Sequence, residues 1–221
     1  MSELRGPSDE AIAEAHAIYT PRALSFYDVV VHGLSNRFAW KCPASKIAAL
    51  YAHHLTDNHL EAAAGTGLFL DRVGTRFDRL TLVDINQSCL DVSARRLQRF
   101  SPVCQRANLL APMSLDVPPA QSVGLTYALH CLPGTMPDKL LALDYLQPFM
   151  ANGSVLFGAT ILGKGVRPNL PARALLRLYN EKGVFNNLDD DLNALADGLD
   201  HRFSHVDIVQ HGLVALFSAR S

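Results

Sequence analysis

The sequence predicts an α/β protein: a doubly wound, mostly parallel sheet of seven strands, with an antiparallel final strand and an N-terminal helical lid. Three observations carry this expectation. The stretch His59-Leu-Glu-Ala-Ala-Ala-Gly-Thr-Gly-Leu-Phe-Leu-Asp71 runs a short apolar segment into a glycine turn. Leu68, Phe69, Leu70 and Val73 then begin a helical face, so strand, turn and helix follow without a gap. Further apolar runs at 80–85, 103–110, 122–130 and 155–162 alternate with helical patterns, as parallel sheets require. Near the C-terminus, runs at 205–210 and 213–219 flank His211-Gly212, and strands joined by so tight a turn pair antiparallel.

Length and composition set the frame. With 221 residues, 48% of them hydrophobic, the chain is most simply one structural domain: a lid over residues 1–43 on a core over 44–221. A formal net charge of -1 argues against a broad nucleic-acid or anionic-membrane footprint. Cys42, Cys89, Cys104 and Cys131 are scattered, in neither metal-ligand nor disulfide spacing, and read as reduced thiols of a cytoplasmic protein. No clustered His, Asp and Glu ligands imply a metal. No signal-peptide pattern, membrane-length apolar run or internal repeat is seen.

In chain order, a helix is expected over 8–18, capped by Ser8 with Asp9 and Glu10 in its first turn and ended by Pro21. The lid segment that follows interleaves Tyr19, Phe26, Tyr27, Phe38 and Trp40 with Asp28, His32, Asn36 and Arg37. Most of these aromatics pack on any reading, but an apolar face with a few polar groups also suits the wall of a small-molecule site. Tyr19 is expected against a cofactor, and Tyr27, His32 and Trp40 against a substrate. A helix over 45–55 carries Ile47, Leu50, Tyr51 and His54 on one face. The strand at 60–64 follows.

The second strand, 80–85, ends in a carboxylate, Asp84, with Asn86 and a cap at Ser88 beyond it. A helix over 88–100 turns Leu90, Ala94, Leu97 and Phe100 to the sheet and Arg95, Arg96 and Arg99 to solvent. The third strand, 103–110, contains Asn108 and Leu109. The fourth, 122–130, ends at His130 before the turn Cys131-Leu-Pro-Gly134, which puts His130 at the carboxyl rim, where ligands of open α/β sheets bind. A helix over 138–150 shows Leu141, Tyr145 and Phe149 on one face. Beyond the fifth strand, helices near 171–180 and 189–199 are joined by a loop, 180–187, positioned to reach the active face.

The glycine turn offers unpaired N–H groups to a diphosphate or to a smaller polar tail. A dinucleotide fingerprint wants a third glycine where Leu70 stands, and no Gly-Lys-Ser/Thr follows. Asp84 follows Gly67 at close to the spacing where a doubly wound fold places an acid on ribose hydroxyls, since a carboxylate accepts from both at once. Asn108 reads also as a simple turn former, and His130 as a structural histidine bonded at the strand end.

Glu61-Ala-Ala-Ala-Gly65-Thr-Gly67 resembles motif I of the class I S-adenosylmethionine (SAM) dependent methyltransferases of small-molecule type, with Ala63 in place of the first glycine. Asn108-Leu109 resembles the family's adenine-contacting Asp-Leu pair, and the strand through Tyr127 to His130 its motif IV, without the Asn/Asp-Pro-Pro-Tyr/Phe signature of enzymes acting on DNA bases or glutamine amides. The segment from Tyr27-Asp28 to Pro43 is similar to a little-characterised branch of small bacterial and fungal methyltransferases.

The resemblance implies SAM as cofactor and S-adenosylhomocysteine (SAH) as product. Cofactor contacts fall to Glu61, Ala63, Gly65, Gly67, Asp84, Ile85, Asn108 and Leu109, and acceptor contacts include Tyr127. Methyl transfer to an O, N or C atom of a small aromatic or heterocyclic metabolite is expected, with His130 as candidate base because imidazole titrates near neutrality. No nucleic-acid or membrane partner is implied, and monomer and homodimer stay open. Two alternatives stand beside this: a SAM-binding protein without transfer, and a nicotinamide-dependent oxidoreductase, which Leu70 and the final hairpin disfavour.

Overall fold

A computed structural model describes residues 35–220. Its core is one seven-stranded sheet: β1 (Asn58–Ala62), β2 (Arg79–Asp84), β3 (Val103–Arg106), β4 (Ala120–Thr126), β5 (Met150–Ile161), β6 (His205–His211) and β7 (Val214–Arg220). Their spatial order is β3-β2-β1-β4-β5-β7-β6. The first five pair in parallel, and β7 runs antiparallel to both β5 and β6. The chain builds outward from β1 to β3 and then returns to lay β4 on the other side of β1. This reversal opens a crevice at the carboxyl ends of β1 and β4.

Helices cover both faces. On one lie α1 (Ala44–His54), α2 (Leu68–Val73), α3 (Gln87–Arg96) and α5 (Leu170–Glu181), on the other α4 (Met136–Leu146) and α6 (Leu192–Asp200). Alternation along the strands divides the core accordingly. In β7, Val214 and Leu216 join Ile47, Leu70 and Leu176 on the first face, while Ala215 and Phe217 join Leu140, Leu143 and Leu195 on the second. The last eight residues of β5 are all buried, as a central strand covered on both sides demands. No helix among the described residues is long and apolar enough to cross a membrane, and all four cysteines are free.

Several element ends differ from the sequence expectation, each for a local reason. The first strand occupies 58–62 and stops before Ala63, whose φ of 57° is left-handed. The fourth stops at Thr126 because Tyr127, at φ 59°, turns the chain out of the sheet. His130 therefore sits in a tight turn, Leu129–Cys131, rather than at a strand end. The third strand ends at Arg106, since the Asn108 side chain accepts the Leu110 N–H at 2.9 Å and closes a turn. Asn86, not Ser88, caps α3, accepting the Ser88 N–H at 2.9 Å.

Of the three arginines, Arg95 and Arg99 are exposed as expected, Arg99 pairing at the surface with Asp71 from the turn just past α3, whereas Arg96 is half-buried and donates to the Thr66 carbonyl. In α4 the expected face is rotated. Met136, Lys139, Leu140, Leu143 and Leu146 are buried, while Leu141 is exposed and Tyr145 only half-buried. The helix carries two apolar stripes, and α6 selects between them, because Gly198 leaves room for the Leu140 side chain. The helix expected over 8–18 lies outside the described residues.

Glycine is required where strands crowd. A Cβ at Gly158 would meet the Leu125 carbonyl oxygen at 2.0 Å and the Phe217 ring at 2.7 Å. Backbone oxygen in a parallel ladder cannot withdraw, so Gly158→Ala is expected to lower stability by about 1–3 kcal/mol, measured as a shift in the urea midpoint at unchanged slope.

Candidate active site

A cavity of about 510 Å³ lies at the carboxyl ends of β1, β2, β3 and β4. Its first half is walled by the turn from Ala63 to Gly67, by Asp84 at the end of β2 and Ile85 beyond it, and by Asn108 and Leu109 beyond β3. Its second half is walled by Thr126 at the end of β4, by Tyr127, Cys131 and Leu132 beyond it, and by the segment from Gly183 to Asn186. The sequence expectation that the loop after α5 reaches this face holds.

The first half is built on left-handed backbone. Ala63, Gly65 and Gly67 have φ values of 57°, 53° and 69°. At Gly67, which caps α2, a Cβ would also approach Leu97 Cδ1 to 2.9 Å. Asp84 fastens this turn: Oδ2 accepts the Gly65 N–H at 3.0 Å and Oδ1 the Asn86 N–H at 2.9 Å. These two bonds fix the orientation of the carboxylate beneath the turn.

Below the turn lies Glu61, buried at the end of β1 and reaching the cavity floor. Oε1 accepts the Tyr51 hydroxyl at 2.5 Å, and Oε2 lies 2.8 Å from His59 Nε2. His59 Nδ1 lies in turn 2.8 Å from Ser122 Oγ. Burial first, and then the Glu61 charge, pushes the Tyr51 phenol well above its ordinary range, so its proton stays on the hydroxyl and donates. Gly124 stands opposite Glu61 in β4, where a Cβ would lie 2.3 Å from Oε2.

In the second half, Tyr127 donates its amide to the Ala159 carbonyl at 2.7 Å and its hydroxyl to Asn36 Oδ1 at 2.9 Å. Phe185 meets Trp40, Tyr179 and His130, with ring centres 6.0, 4.9 and 4.5 Å away. Cys89 and Cys131 reach the wall as thiols, both pushed up to about 12 chiefly by burial, which leaves them inert at neutral pH.

Placement of the remaining candidates differs from expectation. His130 is 2% exposed and stands behind the wall, edge-on to Tyr127 and Phe185, with Nδ1 accepting the Ile161 N–H at 3.3 Å. Trp40 is fully buried and belongs to the core, not to the cavity wall. Its backbone is held there by hydrogen bonds to Ser35 and Leu213. Tyr19, Tyr27, Asp28 and His32 lie outside the described residues. Two features escape sequence reasoning: Tyr51 as the partner of Glu61, and a buried Lys139–Asp190 pair behind the second half. Tyr51 gives a signal, being with His54 one of two polar tips on an otherwise apolar helix face; Lys139 gives none.

Comparison with known proteins now bears on this geometry. No protein-family model matches the chain. Demethylluteothin O-methyltransferase of Streptomyces thioluteus is 33% identical over 213 residues, spanning 96% of this chain and 93% of that protein. Methyltransferase aurB of Calcarisporium arbuscula is 35% identical over 216 residues, spanning 91% and 94%. The chain belongs to the class I SAM-dependent methyltransferases. Among solved structures, the DhpI–SAH complex shares the fold at a TM-score of 0.67 and 15% identity, covering 96% of this chain and 98% of that one. This methyltransferase uses SAM, and its half-cavity of left-handed turn, carboxylate and apolar platform fits such a ligand.

Ala63 stands where the motif it resembles has its first glycine, and its backbone is left-handed, a conformation that costs an L-residue about 1–2 kcal/mol. Ala63→Gly is therefore expected to stabilise the methyltransferase by about 0.5–1 kcal/mol in chemical denaturation, a reversal of the usual penalty for glycine.

Proposed function

We propose that this methyltransferase moves the methyl group of SAM to a hydroxyl oxygen of a small, planar, mostly apolar metabolite. The observation that carries this is the second half of the cavity: Tyr127, Leu132, Pro133, Val184 and Phe185 make it aromatic and apolar. Such a wall suits a flat ring and offers little to a charged amine or carboxylate. The similarity to an O-methyltransferase over nearly the whole chain supports oxygen as the acceptor atom.

In this reading Ala63, Gly65 and Gly67 let the backbone approach the methionine part, and Glu61 supplies negative charge beneath its ammonium. Asp84 accepts from the ribose hydroxyls. Ile85 and Leu109 pack on the adenine, and the Asn108 side chain accepts from its exocyclic amine with the lone pair that Leu110 leaves. When bound, SAM supplies an electrophilic methyl on sulfonium, so that an O–CH3 bond forms as S–CH3 breaks, leaving SAH and a released hydroxyl proton. The protein's part is alignment and exclusion of water, which contribute several kcal/mol. Tyr127 is central to that part, because its left-handed backbone and its bond to Asn36 leave the phenol one orientation.

His130 acts in this reading through its neighbours, as a positioning residue that props Tyr127 and Phe185. A base role predicts a different outcome for His130→Gln. A lost base lowers kcat by about 10²–10⁴ and removes the neutral limb of its pH profile. A lost prop raises the acceptor KM and leaves that limb in place.

Calorimetric titration with SAM, SAH and NADH tests the cofactor assignment. Micromolar binding of the first two and none of the third is expected, with Asp84→Asn weakening SAH by roughly tenfold or more, equivalent to ~1.4 kcal/mol. Methyl incorporation from labelled SAM across matched phenols and anilines tests the acceptor atom. Transfer to the anilines alone overturns the oxygen assignment.

A further inference from the structure

The buried pair Lys139–Asp190 takes no part in the chemistry above, and neither side chain reaches the cavity. Lys139, in α4, is 0% exposed, and its Nζ lies 2.7 Å from each oxygen of Asp190. The same ammonium donates to the Asn186 carbonyl oxygen. Asn186 in turn donates its N–H to the His130 carbonyl at 2.8 Å. Both polar groups of this one backbone unit are thereby tied, one to α4 and one to the turn that follows β4.

The far side of the pair is held as firmly. The Asp190 carbonyl accepts the Gly163 and Lys164 N–H groups at 3.0 Å each, and Asn187 Nδ2 donates to the Ile161 carbonyl at 2.9 Å. A Cβ at Gly163 would fall 1.9 Å from the Asn187 oxygen, so the segment is pressed directly on the end of β5. Burying two charges is seldom the most stable solution, since apolar side chains of similar volume often serve as well or better. The pair's place in the fold suggests geometry as its use. It fixes Asn186 at one end of a segment, Gly183 to Asn186, whose inner surface is cavity wall.

That wall belongs to one half of the cavity. The cofactor half is built from the carboxyl ends of β1, β2 and β3, whereas this segment faces it from the side of β4 and β5. We propose that Lys139 and Asp190 are positioning residues for the methyl acceptor: their ion pair clamps the Gly183–Asn186 segment as a rigid wall of the acceptor half and leaves the cofactor half unaffected. The name of that half rests on the function proposed above; the clamp itself rests only on these contacts.

The test is the neutral double variant Lys139→Met/Asp190→Leu, since Lys139→Met alone strands a buried carboxylate and risks unfolding. Three readouts are taken with the full chain: SAH affinity by calorimetry, hydrogen exchange over residues 183–187 in SAH-saturated protein, and steady-state kinetics with the best phenol of the acceptor panel. The double variant is expected to unfold cooperatively and to bind SAH within about threefold of the parent. Exchange over 183–187 is expected to quicken by about tenfold or more, and the acceptor KM to rise by about tenfold with kcat changed less than about threefold. Exchange equal to that of the parent overturns the clamp, and SAH affinity falling in step with it overturns the division into halves. Absence of phenol turnover by the parent would count against the hydroxyl acceptor alone, and exchange with SAH affinity would still decide the clamp.

Discussion

A single buried carboxylate, that of Glu61, governs the centre of this sheet. A charge at that depth is tolerated only if its oxygens are hydrogen-bonded, and the bonds come from two directions: Tyr51 across from α1, and His59 from two residues earlier on β1. His59 passes the constraint to Ser122 in β4, whose Oγ also accepts the Thr56 N–H at 3.1 Å. The chain from Thr56 to Glu61 thus locks α1, β1 and β4 together directly beneath the glycine turn. Gly124 is the other side of the same requirement, since a side chain there would occupy the space of the carboxylate. The aromatic ring of Phe157 completes the enclosure, packing against both Tyr51 and His59.

The two strands that flank the topological reversal stop in the same way. Beyond β1 comes Ala63 and beyond β4 comes Tyr127, both non-glycine residues in left-handed conformation, φ 57° and 59°. Each turns the chain abruptly away from the sheet and opens the crevice between them. Such conformations persist when surrounding contacts over-determine them. At Tyr127 the amide, the hydroxyl and the packed ring all do so. Strain and cavity are therefore consequences of one piece of backbone geometry, placed where the fold binds its ligands.

Charge is used differently inside and outside the molecule. Arg76–Asp78 and Arg177–Glu181 are exposed pairs, two residues and one helical turn apart, and such pairs contribute little. Glu61 and Lys139 are buried and each is bonded to a residue of another part of the fold, Glu61 at the floor of the cavity and Lys139 behind its wall. Rigid walls matter for in-line transfer because alignment of donor and acceptor is the protein's main contribution.

Much of this was legible without coordinates. The strand-turn-helix at Glu61 to Val73, the acid at Asp84, the alternation of apolar runs and the terminal hairpin depend on local sequence. They are set by backbone freedom at glycine, side-chain periodicity and the reach of short turns, so the fold and the residues that wall the first half of the cavity could be read directly. The acceptor half could not. Whether Trp40 faced ligand or core, which of two apolar stripes α4 buried, and where the fourth strand stopped were decided by partners distant in sequence: Leu213, α6 and Asn36. The same holds for Lys139, which on a helix reads as a solvated side chain and is buried only because Asp190, 51 residues on, meets it. Long-range packing chooses among conformations that local sequence leaves nearly equal, and the shape of the acceptor half follows from those choices.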